Sequence, residues 1–166
     1  MAKNDFTVTD KFVFFWSGPF SQWHRGNFTY NGLTYNTAEQ AMMADKARHF
    51  KDNDTLKKIM ASNSPKEQKA YGRQVSPFDA GNWDKASTEY VYQINIAKFS
   101  ADKELAKMLL DTGDKILVEA SPYDNIWGIG MAADDSRALD IDQWQGQNRL
   151  GEVLMRVRTA LKEQAR

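Results

Sequence analysis

The sequence predicts a mainly α protein carrying a small β element, an α+β fold in one compact domain over residues 1–166. Three observations lead there. Helix-start signals recur from residue 36 onward, β-prone runs are confined to the first thirty-five residues and a short stretch before Glu119, and no repeat, low-complexity tract or linker divides the chain. A chain of 166 residues buries by itself roughly two-thirds of the surface its unfolded form exposes.

Phe12-Val-Phe-Phe-Trp16 is a β-prone run stopped by Ser17-Gly18-Pro19. Phe28 to Tyr35 alternates through Asn31-Gly32, a dipeptide suited to tight hairpins because both positions tolerate positive φ. Helices then dominate. Asn36 reads as the cap of a helix reaching about Phe50, with Glu39 three residues on in the capping-box position. Ser64-Pro65-Lys66-Glu67 is a capping box with proline at the first helical position. A helix after Gly81 or Asn82 runs to about Lys98 with Trp83, Ala86, Tyr90, Val91 and Ile94 on one face, and Ser100 opens another that ends at Gly113. Lys115 to Glu119 reads as a short strand and Ala120 to Gln147 as a long loop region, of the kind that is usually functional. The last helix starts near Asn148, with an apolar stripe of Leu150, Val153, Leu154, Val157 and Leu161.

Composition excludes several function classes. Lys plus Arg equals Asp plus Glu, 22 each, so the molecule as a whole exerts no pull on nucleic acid or anionic membranes, and any polyanion must meet a local patch. The absence of cysteine rules out a disulfide framework, a thiolate nucleophile and a cysteine zinc site, and it suits a reducing compartment. His24 and His49 are too few and too scattered for a metal site, the aspartates between 134 and 142 lack calcium-loop spacing, and no phosphate-binding Gly-x-x-x-x-Gly-Lys-Ser/Thr occurs. No metal and no cofactor is expected. Neither a signal peptide nor an apolar run of about 20 residues able to span a bilayer is present, so the expectation is a cytoplasmic protein with no membrane partner.

The run Glu119-Ala-Ser-Pro-Tyr-Asp124-Asn-Ile-Trp127-Gly128-Ile-Gly130 gathers two carboxylates and an indole around a turn that Pro122, Asn125, Gly128 and Gly130 keep irregular. Glu119 and Asp124 fit a paired-carboxylate device, and equally a strand-end glutamate and an Asx-turn aspartate. On the first long helix, Glu39 and Lys46 lie seven residues apart, on nearly the same face and roughly 10 Å apart along the axis. Met42 and Met43 between them read as ordinary core, and Lys46 alone reads as a snorkelling surface lysine. Asn148 fits a helix cap, and its helix N-terminus after Gly146 would also suit a phosphate.

The motifs Phe15-Trp16, Gly18-Pro19-Phe20-Ser21, Ala38-Glu39, Lys46-Ala47, Gly72-Arg73, Asn82-Trp83 and Lys98-Phe99 follow one another along the chain. Leu117-Val118-Glu119, Asp124-x-x-Trp127-Gly128-x-Gly130, Gly146-x-Asn148-x-Leu150-Gly151, Leu154-Met155 and Arg158 complete the series. In this order, over nearly the whole chain, the set resembles the NADAR family of NAD- and ADP-ribose-associated proteins. The family includes N-glycosidases acting on riboflavin-pathway intermediates and enzymes that remove ADP-ribose from guanine. Two departures stand out: the riboflavin branch tends to read Ser-Glu-His where this chain has Ala38-Glu39-Gln40, and Ser-Asn-Phe where it has Ser21-Gln22-Trp23.

The resemblance implies a single NADAR-like N-glycosidase domain over 1–166 that hydrolyses the C1′–N bond of a ribosylated nitrogen base. Its expected partner is a ribosylated base or an ADP-ribosylated nucleotide, free or within nucleic acid. Glu39 and Asp124 are implied at the ribose, and Lys46 either as a phosphate contact or as an amine forming a Schiff base with the opened sugar. Trp83 and Trp127 would flank the base, Arg73 and Asn148 would contact phosphate or hydroxyls, and Ser21, Trp23, Glu119 and Gly128 complete the implied binding set. The alternative is a binding module that recognises NAD or ADP-ribose without chemistry.

Overall fold

The computed structural model describes residues 5–165; the ends of the expected domain, residues 1–4 and 166, lie outside the described residues. In chain order the elements are β1 (Phe6–Val8), β2 (Phe12–Phe15), β3 (Phe28–Tyr30), β4 (Leu33–Tyr35), α1 (Ala38–His49), α2 (Asn53–Ala61), α3 (Pro65–Gly72), α4 (Ala80–Ser100), α5 (Lys103–Leu110), β5 (Ile116–Glu119) and α6 (Arg149–Gln164). The fold is mainly α with a small β content, as the sequence predicts. The chain divides into two compact units, residues 22–101 and the pair of segments on either side of them.

In the unit of residues 22–101, β3 and β4 form a hairpin with Phe28 opposite Tyr35 and Tyr30 opposite Leu33. Asn31 and Gly32 turn it at φ 49° and 80°, the positive-φ pair their sequence requires. The cap of α1 differs from expectation. Thr37 rather than Asn36 is the N-cap, its hydroxyl accepting the Gln40 N–H at 2.9 Å. Gln40 rather than Glu39 completes the box, its Oε1 accepting the Asn36 N–H at 2.8 Å. The Asn36 side chain is committed elsewhere, donating to the Ser62 carbonyl at 3.0 Å and accepting from Gln68 at 2.8 Å.

Helix α1 is buried on almost every side, Met42 and Met43 included, because α2, α3 and α4 all pack against it. The nine-residue helix α2 was not expected, although Leu56, Ile59 and Met60 stand at helical spacing; Asp52 caps it by accepting the Thr55 N–H at 3.0 Å. Helix α3 begins at Pro65 behind Ser64 as expected. Helix α4 starts earlier than expected, where Asp79 accepts the Asn82 N–H at 3.0 Å, and it runs unbroken to Ser100. A carboxylate at the positive end of the helix dipole adds to the cap. Its buried line is Ser87, Val91, Ile94, Asn95 and Lys98, while Trp83, Ala86 and Tyr90 are partly exposed beside it.

One buried carboxylate within this unit sets a stability prediction. The Tyr30 hydroxyl donates to Asp45 Oδ2 at 2.7 Å, and Arg48 reaches the other oxygen at 3.3 Å. Burial pushes the Asp45 carboxyl above its usual range, and the Tyr30 and Arg48 contacts hold it back down. Tyr30→Phe should cost about 1.5–3 kcal/mol at neutral pH, the worth of a hydrogen bond to a buried charge, measured by urea unfolding. The folded-state pKa lies above the unfolded 3.8, so the folded state binds the extra proton between the two values. Stability from this group is therefore full below pH 3.8 and falls as pH rises through the folded value. The variant's deficit should shrink in acid.

In the other unit, β1 pairs antiparallel with β2, and β2 pairs parallel with β5, Phe12 opposite Ile116 and Phe15 opposite Glu119. The small β element is thus two sheets, because the hairpin pairs with itself and β2 takes its second partner from far along the chain. Phe12, Phe14, Val118, Ile129 and Met131 pack together on one side of the three-stranded sheet. The stretch read as a long loop contains 3₁₀ turns at Ser136–Leu139 and Ile141–Gln143, and Trp144 donates its indole N–H to the Ala138 carbonyl at 2.9 Å. Helix α6 follows Asn148 with its predicted stripe buried, and α5 opens behind Asp102 rather than Ser100. No helix among the described residues is long and apolar enough to cross a membrane.

Candidate functional site

Within residues 22–101 the candidate chemistry lies along α1. Glu39 stands in its first turn, 8% exposed, and its Oε1 accepts the Trp23 indole N–H at 3.1 Å. The main-chain N–H of Glu39 donates to the Gln22 carbonyl at 2.9 Å, which pins the start of the helix to the segment carrying Trp23. Two turns later Lys46 is half-buried, and its Nζ lies 4.5 Å from the centre of the Phe78 ring. Burial lowers the Lys46 amine below the ordinary lysine range; the negative charge of Glu39 works against the shift and the positive charge of Arg73 works with it. Arg73 is exposed at the end of α3. Glu39 and Arg73 thus act on the Lys46 amine in opposite directions.

Trp83, also in this unit, is packed within an aromatic cluster. Its ring stacks on Tyr90 at 5.7 Å and 27° and meets His49 edge-on at 5.9 Å. His49 in turn bonds the Tyr90 hydroxyl at 3.0 Å through Nδ1. Tyr90 therefore already occupies one face of the Trp83 indole.

The remaining predicted residues belong to the other unit. Ser21 is buried, with its N–H donating to the Gly18 carbonyl at 3.0 Å. Asp124 Oδ1 accepts the N–H groups of Ile126 at 2.9 Å and Trp127 at 2.8 Å, the Asx-turn geometry weighed from the sequence. The Arg149 guanidinium lies 5.9 Å from the Trp127 ring. Gly128 sits where a Cβ would come within 2.9 Å of the Glu119 carbonyl oxygen and 3.0 Å of the Asp124 carbonyl oxygen, so this close approach of turn to strand needs a glycine.

Asn148 is 1% exposed and left-handed, at φ 54°, with no side-chain cap bond to its own helix. Its amide instead bridges the strand end, Oδ1 accepting the Glu119 N–H and Nδ2 donating to the Leu117 carbonyl, both at 2.9 Å. The N–H groups of Asn148, Arg149 and Leu150 go to the carbonyls of Gly128, Ile126 and Trp127 at 3.0–3.2 Å. The first turn of α6 thus donates to the chain's own backbone, which corrects the reading of this helix end as an open phosphate seat.

The sequence reading passed over Phe78, the aromatic neighbour of Lys46. Its signal was an aromatic in a Pro-containing turn directly before a helix cap, Pro77-Phe78-Asp79. It also passed over an exposed ring pair, Trp16 and Tyr123, 5.7 Å apart.

This arrangement of helices and two short sheets is that of a solved α+β protein, Escherichia coli YbiA, with a TM-score of 0.78 over 98% of this chain and 92% of that one at 27% identity. The profile of the NADAR domain matches residues 14–162, and the chain belongs to the NADAR family. Among its relatives, N-glycosidase R617 of Acanthamoeba polyphaga mimivirus is 43% identical over 163 residues, covering 90% of this chain and 96% of the relative. N-glycosidase Npun_R5314 of Nostoc punctiforme is 33% identical over 141 residues, covering 82% and 83%.

Proposed function

We propose that this N-glycosidase hydrolyses the C1′–N bond of a ribosylated nitrogen base, with guanine carrying ADP-ribose and an aminopyrimidine ribotide as the two candidate substrates. The observation that carries the reading is the amine of Lys46, half-buried on the helix of Glu39 and under the influence of both that carboxylate and Arg73. Cleavage develops positive charge at C1′, which a nearby carboxylate stabilises. Glu39 takes this role, held in orientation by Trp23. In the other unit, Asp124 leaves its Oδ2 outside the Asx turn. Arg73 serves the phosphate.

The two family departures carry different weight. Gln40 is turned inward, donating to the carbonyls of Ile59, Met60 and Ser62, so its difference from histidine concerns helix packing. Trp23 replaces a residue type without an N–H donor and bonds Glu39 directly, so this departure bears on the site. The deciding experiment incubates the protein with an ADP-ribosylated guanosine and with the aminopyrimidine ribotide and detects released base by chromatography. Release from one of them fixes the substrate. Tight ADP-ribose binding by calorimetry with release from neither would instead establish the non-catalytic module.

The Lys46 amine makes the pH dependence informative. Only the neutral amine attacks, so a step that uses it speeds up as pH rises through a value below the ordinary 10.5. Arg73→Gln removes a positive neighbour, which favours the charged form and moves this limb of the pH–rate profile to higher pH. A limb that moves to lower pH would exclude Lys46 as the titrating group.

A further inference from the structure

We propose that Phe78 is a positioning residue for the reaction, its ring face holding the positively charged state of the Lys46 side-chain nitrogen. The inference deepens the reading above and rests on its assignment of Lys46. Phe78 lies between α3 and α4, directly before Asp79, the cap of α4. Its ring is held edge-on by Phe50 at 5.3 Å, on the chain that leaves α1. Lys46 Nζ sits 4.5 Å from the ring centre, within the range at which the negative face of an arene attracts a cation. Phe78 is itself 48% exposed, so half its surface stays open, while Lys46 is half-buried.

Lys46 is therefore subject to two opposed effects of one local environment. Burial disfavours the charge, while the face of the Phe78 ring favours it. The charged groups acting on the amine in this unit are Glu39, on the same helix, and Arg73, at the end of α3. The balance suits a nitrogen that must change state. With the base still attached, opening of the ribose ring by one proton on its oxygen leaves C1′ doubly bonded to the base nitrogen, and addition of the neutral amine there forms the new C–N bond. A proton then passes from the added nitrogen to the base nitrogen, the C1′–N bond to the base breaks and the base leaves, so the lysine nitrogen holds a protonated imine with one positive charge beside the same ring. Hydrolysis consumes one water and returns aldehyde, amine and proton.

The test replaces Phe78 with mono-, di- and trifluorophenylalanine, which keep the ring in place and progressively weaken its negative face, and with leucine, which keeps carbon cover without the ring. Acylation of Lys46 by acetic anhydride across pH, read by mass spectrometry of its peptide, gives the pH of half-reactivity with no substrate present. That pH should fall stepwise along the fluorinated series, by about 0.4 to 1.5 pH units in all, and the leucine variant should fall with it. A value that stays constant or rises along the series overturns the proposal, whatever the leucine variant does. Failure of the catalytic reading shows separately: Lys46→Met with full turnover removes Lys46 from the reaction and leaves the titration of its amine unaffected.

Discussion

Glu39→Gln should lower turnover by at least about a hundredfold while leaving the fold intact, the range expected for loss of a positioned acid–base or charge-stabilising group. Glutamine keeps a carbonyl oxygen to accept the Trp23 indole N–H, which Glu39 now accepts at 3.1 Å, so packing at the start of α1 survives. What it loses is the negative charge. The neighbouring amine helps interpret the result, because Glu39 raises the Lys46 pKa and its removal lets the amine lose its proton at lower pH. Loss of activity in the variant therefore cannot come from a more fully protonated Lys46. Base release measured alongside a thermal melt checks both halves of the expectation; turnover within a few-fold of the parent protein would remove Glu39 from the chemistry.

Asn148→Ala is the substitution with the largest expected effect on stability. It deprives two main-chain groups, the part-buried Glu119 N–H and the buried Leu117 carbonyl, of their partner, at about 1–3 kcal/mol each. It also forces alanine into φ 54°, for roughly another 1–2 kcal/mol. The total expected is about 3–8 kcal/mol by urea unfolding. Asn148→Gly separates the causes: it relieves the backbone and leaves the bridge broken, so it should recover no more than roughly 1–2 kcal/mol of the loss. A loss below about 1 kcal/mol for the alanine variant would mean that water or a shifted side chain replaces the amide.

Much of the fold was legible because its signals are local. The Asn31-Gly32 turn, the Ser64-Pro65 helix start and the α6 stripe each depend on a few neighbouring residues, and each lies where expected. The errors arose where distant partners decide. Asn36 looks like a cap, but its side chain is engaged by Ser62 and Gln68, so Thr37 and Gln40 cap α1. The site shows the same division. Spacing alone set Glu39 and Lys46 on one helix face, and the Asx turn at Asp124 was readable from residue type. That Trp23 bonds Glu39, that Phe78 covers Lys46, and that Asn148 bonds strand backbone rather than its own helix all depend on contacts between segments well apart in sequence.

The parallel pairing of β2 with β5 gives the chain an order of events as it is made. Phe12 finds Ile116 about a hundred positions later, a closure whose entropic cost rises only slowly with length but which cannot begin before the second strand has been synthesised. Residues 22–101, with their own hairpin and four packed helices, are all in place by then. During that interval the four apolar residues of β2 have a neighbour on one edge at most, so this strand stays open to wrong pairing until β5 arrives.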